Sequence, residues 1–150
     1  MPLDKEFVGR TYPPTEPYEV GREKIREFAD AIGETSPVTR DATAARELGY
    51  SDVIAPPTFP IVLSIRASNQ VIFDPALGLD FSRVVHRAQR FVCHRPVRAG
   101  DRLTVVVTVT DIDHIGGNDV ITIRGEISTV DGEPVCTMTS TAVSRAEAGV

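Results

Sequence analysis

The chain is short of most of the residues that would commit it to a known chemistry. It has no tryptophan, two cysteines and three histidines in 150 residues. Cys93 and Cys136 are not a short-spaced pair and no histidine completes a ligand set with them, so no metal is expected. Both fall in strand-like segments and read as small buried hydrophobes. Neither cross-links nor metals are needed for folding, because a chain of this length withdraws roughly 70% of its unfolded surface from water. Positive charge is in deficit: 16 Lys and Arg against 21 Asp and Glu leave −5, which argues against a nucleic-acid surface. No apolar run reaches the ~18 residues of a membrane span. The opening MPLDKEFVGR has no apolar leader core, so a cytoplasmic chain is expected. There is no Gly-rich phosphate loop, nucleotide motif or Ser-His-Asp set, and hence no expected cofactor.

What is present reads as one domain, 1–150, opening with an extended arm over 1–14. Pro2, Pro13, Pro14 and Pro17 keep that segment irregular until a short strand near Tyr18 to Val20. From Gly21 the period changes. Ile25, Phe28, Ala29 and Ile32 make one apolar helical stripe, and Gly33 supplies its stop. Asp41 is a good N-cap for a second short helix ending at Leu48. In IAPPTFPIVLSIRASNQVIF, Pro57 and Pro60 suit a first helical turn. The helix beyond them, interrupted by the single charge of Arg66, is expected to be apolar nearly all round and therefore buried.

The rest is β. Leu103, Val105, Val107 and Val109 alternate with more polar neighbours, HIGGND is a turn, and Val120 to Val130 is the return strand. Asp131-Gly132 signals a hairpin into Val135 to Val143. With 83–95 added, at least four long strands are expected in an antiparallel meander. A sheet with one apolar face needs a cover, and the buried helix is the available one. The fold class is α+β: a long central helix wrapped by a curved antiparallel sheet, the hot-dog arrangement.

Three motifs narrow this. FADAIGETSPVTRD, SDVIAPPTF and RFVCHRPVRAGDRL occur in the order and spacing of MaoC-like hot-dog dehydratases and hydratases, which the chain resembles from about Val20 to Val143. The segment Arg95 to Asp101 is the most specific of these, and its physical reading is a tight turn in which Gly100 takes an unusual backbone angle. The N-terminal half is similar to the FAS1-like dehydratase domain. That group includes the non-catalytic A-type subunit of heterodimeric (3R)-hydroxyacyl-ACP dehydratases.

The resemblance implies a demanding site. Dehydration of a (3R)-hydroxyacyl thioester needs a base for the C2 proton, an acid for the C3 hydroxyl, and N–H donors for the developing enolate. In active members an aspartate and a histidine follow a Gly-Asp-x-Asn-Pro-x-His pattern. Here Gly33 and Pro37 match, but Glu34 stands at the aspartate and Thr39 at the histidine. Glu34 remains an acid. Thr39 cannot exchange a proton near neutrality as an imidazole of pKa ≈ 6.5 does. The family's His-Gly oxyanion pair aligns with Pro56-Pro57, and proline has no N–H. His86, His94 and His114 read as strand or surface residues. His86 is the least easily dismissed, since it and Gln89 fall where substrate would lie beside the helix end.

The resemblance therefore points to a substrate-holding, non-catalytic subunit of an acyl-ACP or acyl-CoA hydro-lyase in fatty-acid elongation. It would pair with a hot-dog chain that carries the missing dyad, or form a dimer with itself. Ala55, Pro56, Pro57, Thr58, Phe59, Val62, Ile65, His86 and Gln89 are the candidate substrate residues, with plain core packing as the other reading of the apolar ones. Two alternatives stay open at this point. One is a self-sufficient hydratase or thioesterase homodimer using Glu34, with His86 or a water. The other is a non-enzymatic acyl-thioester-binding protein.

Overall fold

The computed structural model describes residues 2–146; Met1 and 147–150, the two ends of the expected 1–150 domain, lie outside the described residues. Strands β1 (Tyr18–Glu19), β2 (Val84–Cys93), β3 (Arg102–Ile115), β4 (Asn118–Thr129) and β5 (Pro134–Ser144) form one antiparallel sheet in the order β1-β3-β4-β5-β2. Helices α1 (Arg22–Ala31), α2 (Ala42–Glu47) and α3 (Ile61–Ile72) precede the long strands. The alternation on β3 has the expected consequence: Leu103, Val105, Val107 and Val109 are buried, while Thr104, Val106 and Thr108 are only half-buried. Leu63, Ala67 and Val71, one α3 turn apart, join that core with Ile121, Ile123 and Met138.

Four expectations need correction. The four long strands are not one meander: β3, β4 and β5 are, but β2 pairs with β5 at the far edge instead of with its sequence neighbour β3. The link between them is fastened by the Arg95 guanidinium, which donates to both Asp101 carboxylate oxygens at 2.9 and 3.0 Å and to Glu133 Oε1 at 2.8 Å. These bonds, Asp101 first, hold Arg95 charged well above its ordinary range and hold the Glu133 carboxyl below its own. Gly100 has φ +92° in this turn, as its position in the motif implies.

Secondly, α3 is not buried all round. It begins at Ile61 with Pro60 as N-cap, so Pro57 sits in the preceding turn. Ile65, 57% exposed, lies with Arg66 and Asn69 on a face this chain does not cover. Thirdly, the arm is not merely extended. It contains a 3-10 turn at Lys5–Phe7, buries Leu3 and Phe7, and then runs beside β3. Tyr12 and Thr15 donate their N–H groups to Val107 and Val105 carbonyls at 2.9 and 3.0 Å, giving the intermittent pairing that a proline-rich segment permits. Fourthly, Cys136 is buried but Cys93 is exposed, at the end of the edge strand.

Candidate functional site

The loop that follows α1 is built on its own backbone. Gly33 adopts φ +73°, Pro37–Thr39 form a 3-10 turn, and Asp41 caps α2 by accepting the Thr43 N–H at 2.9 Å. Glu34 Oε1 accepts the Ser36 N–H at 2.8 Å. Thr39, 3% exposed, donates its hydroxyl to the Ser36 carbonyl at 2.8 Å. Arg40 reaches back to the Glu34 carbonyl at 2.6 Å and to Asp30 Oδ1 at 2.6 Å. The loop is joined to the next motif by one bond, from Ile54 N–H to Val38 O at 3.0 Å. Both side chains at the dyad positions therefore have partners inside the loop.

A second group of residues meets on the α3 side of the sheet. His86 Nε2 and Gln89 Oε1 are 3.1 Å apart. Residues three apart on a regular strand face opposite sides. Here a bulge between His86 and Ala88 shifts the register, so that His86 opposes Ala142 and Gln89 opposes Ser140 on the same face. The two line a cavity of about 170 Å³ with Ser64, Ile65, Ser68 and Asn69 of α3. Gln89 also points its amide at Met138 Sδ, 3.8 Å away. Ser68 Oγ is enclosed with no hydrogen-bond partner among the described residues.

The remaining candidates divide. Ala55, Pro56 and Pro57 line a separate groove of about 380 Å³ with Pro60, Cys93 and His94. Phe59 is fully buried and meets Phe28 edge-on with ring centroids 5.4 Å apart, so it is a core residue of this chain. Thr58 is exposed and Val62 half-buried, and neither lines these two cavities. Glu34 and Thr39 line neither of them. Of the sequence candidates, the structure thus brings Ile65, His86 and Gln89 together and leaves the dyad positions elsewhere. Ser64, Ser68 and Asn69 were not expected to line a cavity. Their signal is the recurrence of short polar residues at i, i+4 and i+5 inside an apolar helix. No cluster of three or more metal-ligating side chains occurs among the described residues. Nor is any helix among them long and apolar enough to cross a membrane.

The α3 helix against a curled antiparallel sheet, with a cavity between them, is the hot-dog arrangement. A model of the family described as "FAS1-like, dehydratase domain region" matches residues 6–138. A UPF0336 protein of Saccharopolyspora erythraea is 61% identical over 148 residues, 99% of this chain and 95% of that one. Among solved structures, a MaoC-like dehydratase superposes with a TM-score of 0.85 at 35% identity over 93% of this chain, which spans 42% of the larger one. A C-terminally truncated HadBC complex, a 3R-hydroxyacyl-ACP dehydratase from Mycobacterium tuberculosis, gives 0.80 at 32% identity, covering 91% of this chain and 96% of that chain. The chain belongs to the FAS1-like dehydratase-domain family.

Proposed function

We infer that the chain is the substrate-holding, non-catalytic subunit of a (3R)-hydroxyacyl-thioester dehydratase of fatty-acid elongation, acting in the cytoplasm. In this reading a second hot-dog chain supplies the aspartate and histidine. The observation that carries it is the bond from Ser36 N–H to Glu34 Oε1 beside a buried Thr39. Where the family's acid and base fall, one side chain braces the loop and the other has no usable proton. Losing one acid–base partner costs typically 10²- to 10⁴-fold in rate. The Pro56-Pro57 pair, which offers no N–H to an enolate oxygen, would remove roughly another 10²- to 10³-fold.

Two features favour a hot-dog partner. The ten-residue strand β2 ends the sheet with an edge unpaired among the described residues, and Val85 and Val92 on it are 42% and 46% exposed. An edge of this length and character invites another strand. The opposite edge is different: β3 is already covered by β1 and the arm. A partner strand laid on β2 would enclose the cavity between β2 and α3, turning the exposed Ile65 face inward to meet an acyl chain. Arg87 and Arg90, exposed on the same strand, would meet a carrier-protein or CoA phosphate. The self-sufficient alternative would use Glu34 with His86 or a water; its His86 form is disfavoured within one chain, because Glu34 does not line the cavity that holds His86.

The test is co-expression with a hot-dog chain that has the Gly-Asp-x-Asn-Pro-x-His pattern, followed by sizing and a crotonyl-CoA hydration assay. A stable one-to-one complex that turns over, with this chain alone inactive, is the expected outcome. Turnover by the purified chain alone at ordinary enzyme rates would replace this reading with the hydratase homodimer. Acyl-thioester binding without turnover in any mixture would leave a binding protein.

A further inference from the structure

The two cysteines belong to none of the chemistry above, yet they face each other. Cys93 at the end of β2 pairs directly with Cys136 of β5, 43 residues away in sequence. The next residue, His94, donates its N–H to Val135 O at 2.8 Å, so 94/135 is the hydrogen-bonded pair and 93/136 the non-hydrogen-bonded one. In such pairs the Cα atoms lie about 4.5 Å apart and the side chains are closest. That spacing falls within the roughly 4.4–6.8 Å that a disulfide spans. The two Sγ atoms are 2.6 Å apart, inside van der Waals contact.

Their surroundings differ. Cys136 is 1% exposed, and burial, reinforced by the neighbouring Cys93 sulfur, pushes its thiol well above the usual range. Cys93 is open to solvent and lines the groove of about 380 Å³ with Pro56, Pro57 and His94. Thiol–disulfide exchange needs one sulfur that a reagent can reach and a second held beside it to resolve the mixed disulfide. The edge strand supplies the first and the adjacent strand the second.

We propose that, in the chain before a partner strand covers the β2 edge, Cys93 and Cys136 form a reversible thiol–disulfide site, in which Cys93 accepts a low-molecular-weight disulfide and Cys136 resolves it. In the first step the Cys93 thiolate attacks one sulfur of RSSR. The S–S bond breaks, and the departing RS⁻ takes up the proton that Cys93 released. In the second step Cys136 loses its proton, its Sγ attacks the Cys93 sulfur, and the second RS⁻ leaves as RSH. Two protein thiols are oxidised by two electrons, and RSSR is reduced to two RSH. The product ties the end of β2 to β5. It also fixes the segment leading to Val97, whose carbonyl accepts the Ala55 N–H at 2.7 Å just before Pro56-Pro57. The groove beside the two prolines is thereby held in one shape.

The experiment equilibrates the native chain with oxidised and reduced glutathione, quenches with acid, alkylates, and reads intact mass. The expected product is lighter by two hydrogens, takes up no alkylating agent, and reverts with dithiothreitol. Its melting temperature should rise by about 5–10 °C, since closing a loop of this length restrains the unfolded chain. Cys136→Ser should stop at a glutathione adduct on Cys93. Cys93→Ser should leave Cys136 unmodified until urea exposes it. A wild-type chain that accumulates the Cys93 adduct while Cys136 stays alkylatable would overturn the proposal, as would two thiols that remain free in fully oxidised glutathione.

Discussion

Ser36 and Glu34 close a small turn on each other: the Ser36 N–H donates to Glu34 Oε1 at 2.8 Å, and the Ser36 carbonyl accepts the buried Thr39 hydroxyl at 2.8 Å. One residue thus collects both side chains that stand at the family's dyad positions. The expected consequence is structural. Glu34→Ala should lower stability by about 1 kcal/mol, the usual worth of such a bond. Glu34→Gln, which keeps an accepting oxygen, should change it by a few tenths at most. Urea unfolding of the two variants side by side checks this.

The buried fork at the β2–β3 link makes a larger prediction. Asp101, 7% exposed, receives two Arg95 bonds and the Arg98 N–H at 2.9 Å. Removing Asp101 leaves Arg95 with the more exposed Glu133 as its remaining carboxylate and takes the acceptor from the Arg98 N–H, at about 3 kcal/mol. Asp101→Ala should therefore be among the most damaging single changes in the chain. Arg95→Lys cannot make the same forked contacts and should cost less but still more than about 1 kcal/mol. Equilibrium urea unfolding ranks them.

Gly125 is fixed by space. A Cβ there would stand 2.6 Å from Met138 Cε, 2.9 Å from Met138 Cγ and 3.2 Å from Val105 Cγ1. Gly125 and Met138 are opposite in the β4–β5 register, and Met138 is fully buried. Overpacking of this kind costs about 1–3 kcal/mol. Gly125→Ala should be destabilised by that amount, and adding Met138→Ala should cost less than the sum of the two single changes. A thermal-melt double-mutant cycle reads the coupling.

The arm's anchor gives a pH signature. Tyr12 donates its hydroxyl to Asp74 Oδ2 at 2.6 Å, and Arg10 sits 3.3 Å from the same oxygen. Burial and the Asp74 carboxylate push the Tyr12 phenol up to about 12, while the Tyr12 bond holds the Asp74 carboxyl below its usual range. A depressed acid stabilises the fold above its unfolded value near 4 and loses that contribution as pH falls through the folded value. A raised phenol stabilises below its unfolded value near 10 and loses that contribution as pH climbs toward 12. Absorbance at 295 nm should show one phenol ionising near pH 12, absent in Tyr12→Phe. Asp74→Asn should flatten part of the acid limb of a melting-temperature profile.

Much of the fold was legible because its signals are local. The β3 alternation, the Asp131-Gly132 hairpin and the Asp41 cap each follow from a few adjacent residues, and each is present. The strand order was not, because pairing β2 with β5 depends on a crossing in which the local Arg95–Asp101 fork also binds Glu133, 38 residues further on. The exposed Ile65 face of α3 escaped for a related reason: periodicity says which residues are apolar, not which of them this chain alone can cover. At the candidate site, pairing His86 with Gln89 was within reach, but the bulge that places them on one face leaves no pattern in the sequence. Cys93 was misplaced because the outer edge of a sheet looks like any other strand.

The most direct test of a non-catalytic role asks which chain's acid matters inside the assembled enzyme. Glu34→Gln would be introduced into this chain and Asp→Asn into the loop of the dyad-bearing partner, each in the co-expressed complex, and hydration of crotonyl-CoA compared with wild type. The expected result is a rate within about twofold for Glu34→Gln and a loss of 10²-fold or more for the partner's change, the usual scale for an acid–base group. A hundredfold loss on Glu34→Gln, with the complex still intact by sizing, would contradict it and make Glu34 the working base.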